Sequence, residues 1–428
     1  MRLFQKLSGF LRRNRTPILE QPPVPSERIP SYLFLTQSLQ YNLGADGSFA
    51  RHKRNQQTIY NSFNSFVERS YENVLIHIYL IKSTIPQLFT LVDFDTPVIA
   101  IHIGYIARLD VLMTRRPYLD VATSGTLDIY TRLLLEMVSD YAILLGESGT
   151  ALKIHSAAQA DGVSHAYQEH FLDMQNSDVD ENYLIKWYFC VAHEVGHIFT
   201  AKRVPLWTRR LEITEADVSE TLSEIMQDPS ILMICADYNF RVYPDAIDVS
   251  DLVEEIQADL IGIETLLRFA QETLQWDPGN IQRVHWFCRE LLWTFHFIFC
   301  LTCCRIIARA VVEGEEIGTA RNRYKQFTIS FLVRLKYIEL FLGHAAGRNI
   351  FAWTTDGELP ERPDPAVAGI AAAVSKAFWS TISPRIDQCC VEAFEANAAK
   401  DHPKDRDDGI LKNFRAKCEN FGRGIRVE

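Results

Sequence analysis

From Cys190 to Phe199 the chain reads Cys-Val-Ala-His-Glu-Val-Gly-His-Ile-Phe, an apolar stretch interrupted by three ionisable side chains. No proline breaks it, and it sits in a segment, Asn182 to Thr200, that starts polar, turns apolar and predicts a helix. An amphipathic surface helix would carry more charge, so this one is expected to be buried. A buried carboxylate between two imidazoles is costly unless something neutralises it. Positions i and i+4 share a helical face. His193 and His197 can therefore turn both rings toward one ion, with Glu194 beside the first of them, and a metal supplies the missing partner.

This is the HExxH spacing, and its chemistry follows from the residue types. Zinc held by two imidazoles lowers the pKa of a water from about 16 towards 7, and the adjacent glutamate takes the proton as the oxygen attacks a carbonyl. With 12 histidines in 428 residues, such a pattern arises by chance in about 2% of chains like this one. A catalytic zinc needs a third protein ligand. Arg203 stands six residues after His197, which excludes HExxHxxGxxH, and the next histidine is His285. The run Glu254-Glu255-Ile-Gln-Ala-Asp259 offers an ExxxD in which Glu255 binds the metal and Asp259 accepts the N–H of a ligand histidine, fixing its tautomer. Glu254 is less suited, because Ala258 stands four residues on. Glu220 and Glu224, 23 and 27 residues after His197, form a rival pair, and Glu264 reads as a helix-surface charge.

His193-Glu194-Val-Gly-His197 together with Glu255-Ile-Gln-Ala-Asp259 resembles the gluzincin group of metallopeptidases over about Asn182 to Phe269. Within that group "EEIQADLIG" on a largely helical chain is similar to the phage-exclusion (Lit-type) peptidases of bacteria. Cys190 departs from the Val or Thr common at that position. The resemblance implies a zinc-dependent peptidase acting on a protein or peptide in bacterial stress or phage defence. It makes His193, His197 and Glu255 the ligands and Glu194 the base. It also implies an oxyanion-stabilising group from another element, for which His285, His296, Arg305 and Tyr238 are candidates. A different class of function, a zinc-site scaffold that binds without turnover, is opposed by the intact Glu194. An all-α membrane module with an accidental HExxH is a third reading.

The rest of the chain bounds the setting. A net charge of −10 and a pI near 5.7 argue against a nucleic-acid partner. Nine cysteines, mostly in apolar runs (Cys190, Cys235, Cys288, Cys300, Cys303), read as reduced core residues of a cytoplasmic protein, the Cys300-Leu-Thr-Cys303 pair included. Residues 1–15 form a basic amphipathic segment suited to peripheral membrane contact, followed by a proline-rich linker to residue 30. Leu291 to Cys304 falls short of the roughly 20 apolar residues that span a bilayer, so a buried central helix is expected. Helices are expected over Gln56–Lys82, Thr126–Leu145, Ser219–Met226, Val249–Ala270, Asn280–Glu313, Arg321–Leu342 and Ala366–Ala399. Strands are expected at Val98–Ile103 and, as a substrate-pairing edge, Ser164–Leu172. The predicted class is mainly α with a small β component around a zincin-like metallopeptidase core. The predicted organisation is an α/β region over 31–180, a helical zinc core over 181–350 and a C-terminal helical region with a charged tail over 351–428.

Overall fold

The structure is a computed structural model that describes residues 62–71, 74–81, 88–91, 97–102, 124–159, 181–204, 213–228, 247–273, 280–347 and 364–399, with isolated positions at 105–113 and 410–415. The amphipathic segment 1–15, the proline-rich linker, the candidate strand Ser164–Leu172 and Tyr238 lie outside the described residues, as does most of the tail from Lys400.

A helix over residues 62–70 leads into three short strands, β1 (His77–Ile81), β2 (Leu88–Leu91) and β3 (Val98–His102). The helices α1 (Ser124–Leu144), α2 (Ser148–Ala158), α3 (Glu181–Ala201), α4 (Glu215–Gln227) and α5 (Val249–Glu272) follow. They are succeeded by α6 (Ile281–Val312), α7 (Ile317–Gly347), α8 (Pro365–Thr381) and α9 (Ser383–Ala398). The class is mainly α with a small β component. In the sheet, β3 is central: β1 runs parallel to it, with His77 opposite Val98, and β2 antiparallel, with Leu88 opposite Ile101.

The sequence expectation of one helix from Gln56 to Lys82 is corrected. Its second half is β1, because from Val74 onward the buried positions alternate (Val74, Ile76, Ile78) and the residues are β-branched. The expected helix Ala366–Ala399 is two helices. Pro384 sits in the first turn of α9, where a missing N–H costs nothing, and the chain breaks before it at Ile382. Helix α4 begins earlier than expected because Thr214 and Asp217 form a capping box.

The main hydrophobic core runs from Phe63 to Ala393 and takes in both the sheet and the helices. Its axis is α6, apolar over most of its circumference and buried from Val284 to Val311 at most positions. Two helical stretches, Ile281–Val312 and Pro365–Ala398, are long and apolar enough to cross a membrane by length and composition alone. For the first, 78% of that apolar window is buried against the protein, as a core helix requires.

His296 lies at the centre of this core and not at a site. Its Nδ1 donates to the Leu292 carbonyl at 2.7 Å, its Nε2 has no partner among the described residues, and Phe331, Phe378 and Trp379 surround the ring. Burial lowers its pKa from the ordinary 6.5 to about 4. The folded state therefore holds this ring neutral at pH values where the unfolded chain protonates it. The stabilisation is complete above 6.5 and is lost as the pH falls from 6.5 through 4, about 3 kcal/mol in all. Denaturant titrations at pH 7.5 and 4.5 should show this loss in the native chain and a loss smaller by that amount in His296→Leu. Equal losses in both would show that His296 is not the group responsible.

Candidate metal centre

Helices α3 and α5 cross with their backbones in contact, and two glycines make this approach possible. A Cβ on Gly196 would lie 2.8 Å from the Ala258 carbonyl carbon, and one on Gly262 would lie 2.8 Å from the Ala192 carbonyl and the His193 nitrogen. Each glycine thus meets the main chain of the other helix, next to the residues of interest: His193 and His197 on α3, Glu255 and Asp259 on α5. Helix α5 is entered through Asp248, whose side chain accepts from the Ser250 and Asp251 N–H groups. From there Glu255, Asp259 and Gly262 recur at helical spacing along the face against α3.

The two Nε2 atoms of His193 and His197 are 3.2 Å apart. Glu255 brings Oε2 to 3.7 Å from His193 Nε2 and Oε1 to 3.5 Å from His197 Nε2. A tetrahedral ion with bonds of about 2.0–2.1 Å separates its ligands by roughly 3.3 Å, so the three groups stand at the spacing such an ion needs. Together they could hold a metal ion, and they are the one cluster of this kind among the described residues.

Two of these side chains, His193 and Glu255, are held through further contacts. His193 Nδ1 donates to Asp259 Oδ1 at 2.8 Å, which leaves Nε2 as the free nitrogen and aims it at the cluster. Arg334 of α7 donates through Nε to Asp259 Oδ2 at 2.7 Å and through Nη2 to Oδ1 at 2.9 Å, a bidentate pair. Its Nη1 holds Glu255 Oε2 at 2.9 Å, which leaves Oε1 on the side of His197. The Phe295 ring lies 5.3 Å from the guanidinium carbon. Glu194 projects beside the cluster and accepts a hydrogen bond from the Thr90 hydroxyl of β2.

The electrostatics follow from these contacts. Burial would raise the Asp259 pKa, but Arg334 and then His193 overcome this and hold the carboxyl at about 2. Burial lowers His193, yet the hydrogen bond and charge of Asp259, with Glu255 and Glu194 behind it, leave its pKa raised. His197 is lowered, first by burial and then by the charge of His193. Burial would lower Arg334, but the charges of Asp259 and then Glu255 outweigh it and hold the guanidinium above its usual value, so it is charged at every relevant pH.

The sequence expectations divide clearly. His193, His197, Glu255 and Asp259 come together, with Glu194 at the edge of the group. Glu220 and Glu224 are exposed on α4 and take no part in the cluster. Glu264 corrects the surface reading: it is 0% exposed, in a stretch of α5 buried from Ala258 to Leu267, and the partly exposed Arg268 pairs with it at 2.7 Å. His285 pairs with Asp364 at 3.0 Å instead of facing the cluster. The described cysteines are free and buried, those at 300, 303 and 304 included.

Three nearby groups escaped sequence reasoning. Arg334 had a legible signal, a lone guanidinium in the apolar run Ile329-Ser-Phe-Leu-Val-Arg334-Leu. Thr90 and Tyr105 had none. Tyr105 lines the same space as Glu194, and its hydroxyl is pushed well up by burial and then by Cys190, Tyr141 and Glu194.

A cavity of about 1150 Å³ opens over the cluster, lined by His193, Glu194, Glu255 and Arg334 at one end and by Arg305 and Arg309 of α6 further along. It borders β2 through Leu88. Comparison of the chain with known protein families, with curated proteins and with solved structures finds no match.

Proposed function

We propose that the protein is a zinc-dependent peptidase of the gluzincin kind, hydrolysing a peptide bond of a protein substrate. The observation that carries this reading is the convergence of His193 Nε2, His197 Nε2 and the Glu255 carboxylate at tetrahedral spacing, with Glu194 free of the ligand set and beside it. Two imidazoles and one carboxylate are a donor set suited to zinc, and they leave a fourth position open. Zinc bound there would supply Lewis acidity toward water and a carbonyl oxygen. The protein's own residues do the rest. Asp259 and Arg334 fix the ring of His193 and the carboxylate of Glu255 before any ion arrives. Glu194 accepts a proton at one carboxylate oxygen while Thr90 holds the other. Strand β2, at the edge of the sheet and beside the cavity, offers main-chain groups to an extended peptide.

The free buried thiols and the acidic balance favour a cytoplasmic setting. We read the helical body around α3 and α5 as a zincin-like core. In a direct test, purified protein carries about one zinc per chain and cleaves denatured casein. Chelation abolishes cleavage while far-UV circular dichroism keeps its helical signal, since a core of this size stands without the ion. Undiminished cleavage by metal-free protein, or no bound metal at all, would remove the assignment.

A further inference from the structure

The cavity is not uniform along its length. Helices α6 and α7 run antiparallel through the short 313–316 turn and form one long wall. On α6 the lining residues Phe295, Ile298, Leu301, Thr302, Arg305 and Arg309 recur at three- and four-residue intervals, a single face. Phe295 marks the metal end, under Arg334. Arg305 is ten residues further on, about 15 Å along the helix axis. An extended peptide rises about 3.3 Å per residue, so this span is about four to five residues.

The arginines of this wall differ in what they already hold. Arg334 is committed to Asp259 and Glu255. Arg309 pairs with Glu313, and Arg323 with Glu313 and Glu315. Arg305 alone among the cavity-lining arginines has no carboxylate within ion-pair distance among the described residues, although its charge reaches the cavity-lining Tyr141. Apart from the acids at the metal end and Glu313, the space is lined by Asp248, Asp251 and Glu254 at the start of α5, none of them within ion-pair distance of Arg305 among the described residues. Between Phe295 and Arg305 the α6 wall is mainly apolar, with Ile298 and Leu301 beside Thr302.

We infer that Arg305 is a specificity-determining residue of the cavity, which takes a peptide segment carrying a carboxylate about four to five residues from the metal centre, with apolar side chains between. The carboxylate is an Asp or Glu side chain or the chain terminus, since a guanidinium recognises either through the same forked hydrogen bonds. The inference rests on the peptidase reading for the meaning of the metal end but concerns binding, so the two can fail separately.

The test uses the full chain and three sets of synthetic dodecapeptides of matched composition. One set carries Asp and Glu, the second has Asn and Gln in their place, and the third keeps the acids but has amidated termini. Binding is measured by fluorescence anisotropy on Glu194→Gln, with and without Arg305→Gln, and cleavage on the chain with Glu194 intact. Peptides that carry the recognised carboxylate are expected to bind roughly tenfold tighter than the set that lacks it, and Arg305→Gln to erase that ratio. Arg305→Glu should shift the preference to lysine-bearing peptides. Weaker binding of the second set than the first identifies a side chain as the carboxylate, and weaker binding of the third set than the first identifies the terminus. In cleaved peptides the acid should lie four to five residues from the cut. A carboxylate preference in binding without any cleavage supports the role of Arg305 and defeats the peptidase reading. Cleavage without such a preference, or a preference unchanged by Arg305→Gln, overturns the role of Arg305 and leaves the peptidase reading intact.

Discussion

Glu194→Gln is expected to keep its metal and to lose about 10²–10⁴ in the rate of peptide-bond hydrolysis, the range associated with a positioned acid–base group. The substitution keeps the size of the side chain and an oxygen that can still accept from Thr90, so β2 and α3 stay joined. It removes only the capacity to take up a proton. The histidines remain on their shared face with Asp259 behind them, and Glu255 remains on α5, so metal content and melting temperature should match those of the native chain. The experiment is single-turnover cleavage alongside metal analysis on the same preparation. A scaffold that binds without turnover gives a different result: the variant would retain both zinc and every cellular effect of the native chain. That outcome would replace the peptidase with a binding protein.

Glu255→Ala should weaken zinc binding by well over the 10–100-fold that outer-shell losses typically produce, because it deletes a ligand and not a support. Competition against a chromophoric chelator would measure it. Asp259→Ala should fall within about 10–100-fold in affinity, but it carries a second penalty. Arg334 would stay inside the protein with its bidentate partner gone, a loss on the order of 3–5 kcal/mol in stability. Affinity and stability therefore separate the two carboxylates: Glu255→Ala affects mainly the first, Asp259→Ala both. Exposed Glu220 and Glu224 serve as controls, and alanine at either should change neither quantity. Zinc lost on replacing those residues instead would move the third ligand to α4.

Much of the helical body was legible because its signals are local. Periodicity and caps mark α1, α5 and α6 closely, and the four-residue interval of His193 and His197 needs nothing but helix geometry. The ExxxD of α5 was readable for the same reason. The failures arise where two local rules compete or where distance intervenes. Aromatic residues spaced like a helix continued into Val74–Ile81, where alternation had already taken over, so β1 was hidden behind the helix before it. Glu264 looked exposed because its partner Arg268 stands at the ordinary i+4 interval of a surface pair, and only tertiary packing buries α5 on every face there. Arg334 is 75 residues beyond Asp259 on a different helix, and only the antiparallel return of α7 beside α5 brings it to the carboxylates. Its isolation among apolar neighbours announced a buried partner without saying which.

The glycine contacts between α3 and α5 have a consequence for which ions the centre admits. Main chain meets main chain at Gly196 and Gly262, so the interval between the histidine wall and the glutamate wall cannot shrink. The flanking Val195, Ile198, Ile256 and Leu260 are buried, so it cannot grow without opening the core. Calcium, which asks for six to eight oxygens at about 2.3–2.6 Å, would have to force two backbones apart. For an ion held by His193, His197 and Glu255, the helix crossing would act as a fixed calliper that disfavours large, oxygen-seeking cations by size as well as by ligand chemistry. Cobalt and nickel, whose bonds to nitrogen and oxygen are close to those of zinc, pass the same gauge. Among these the occupant follows from supply and from the ordinary affinity order of divalent metals.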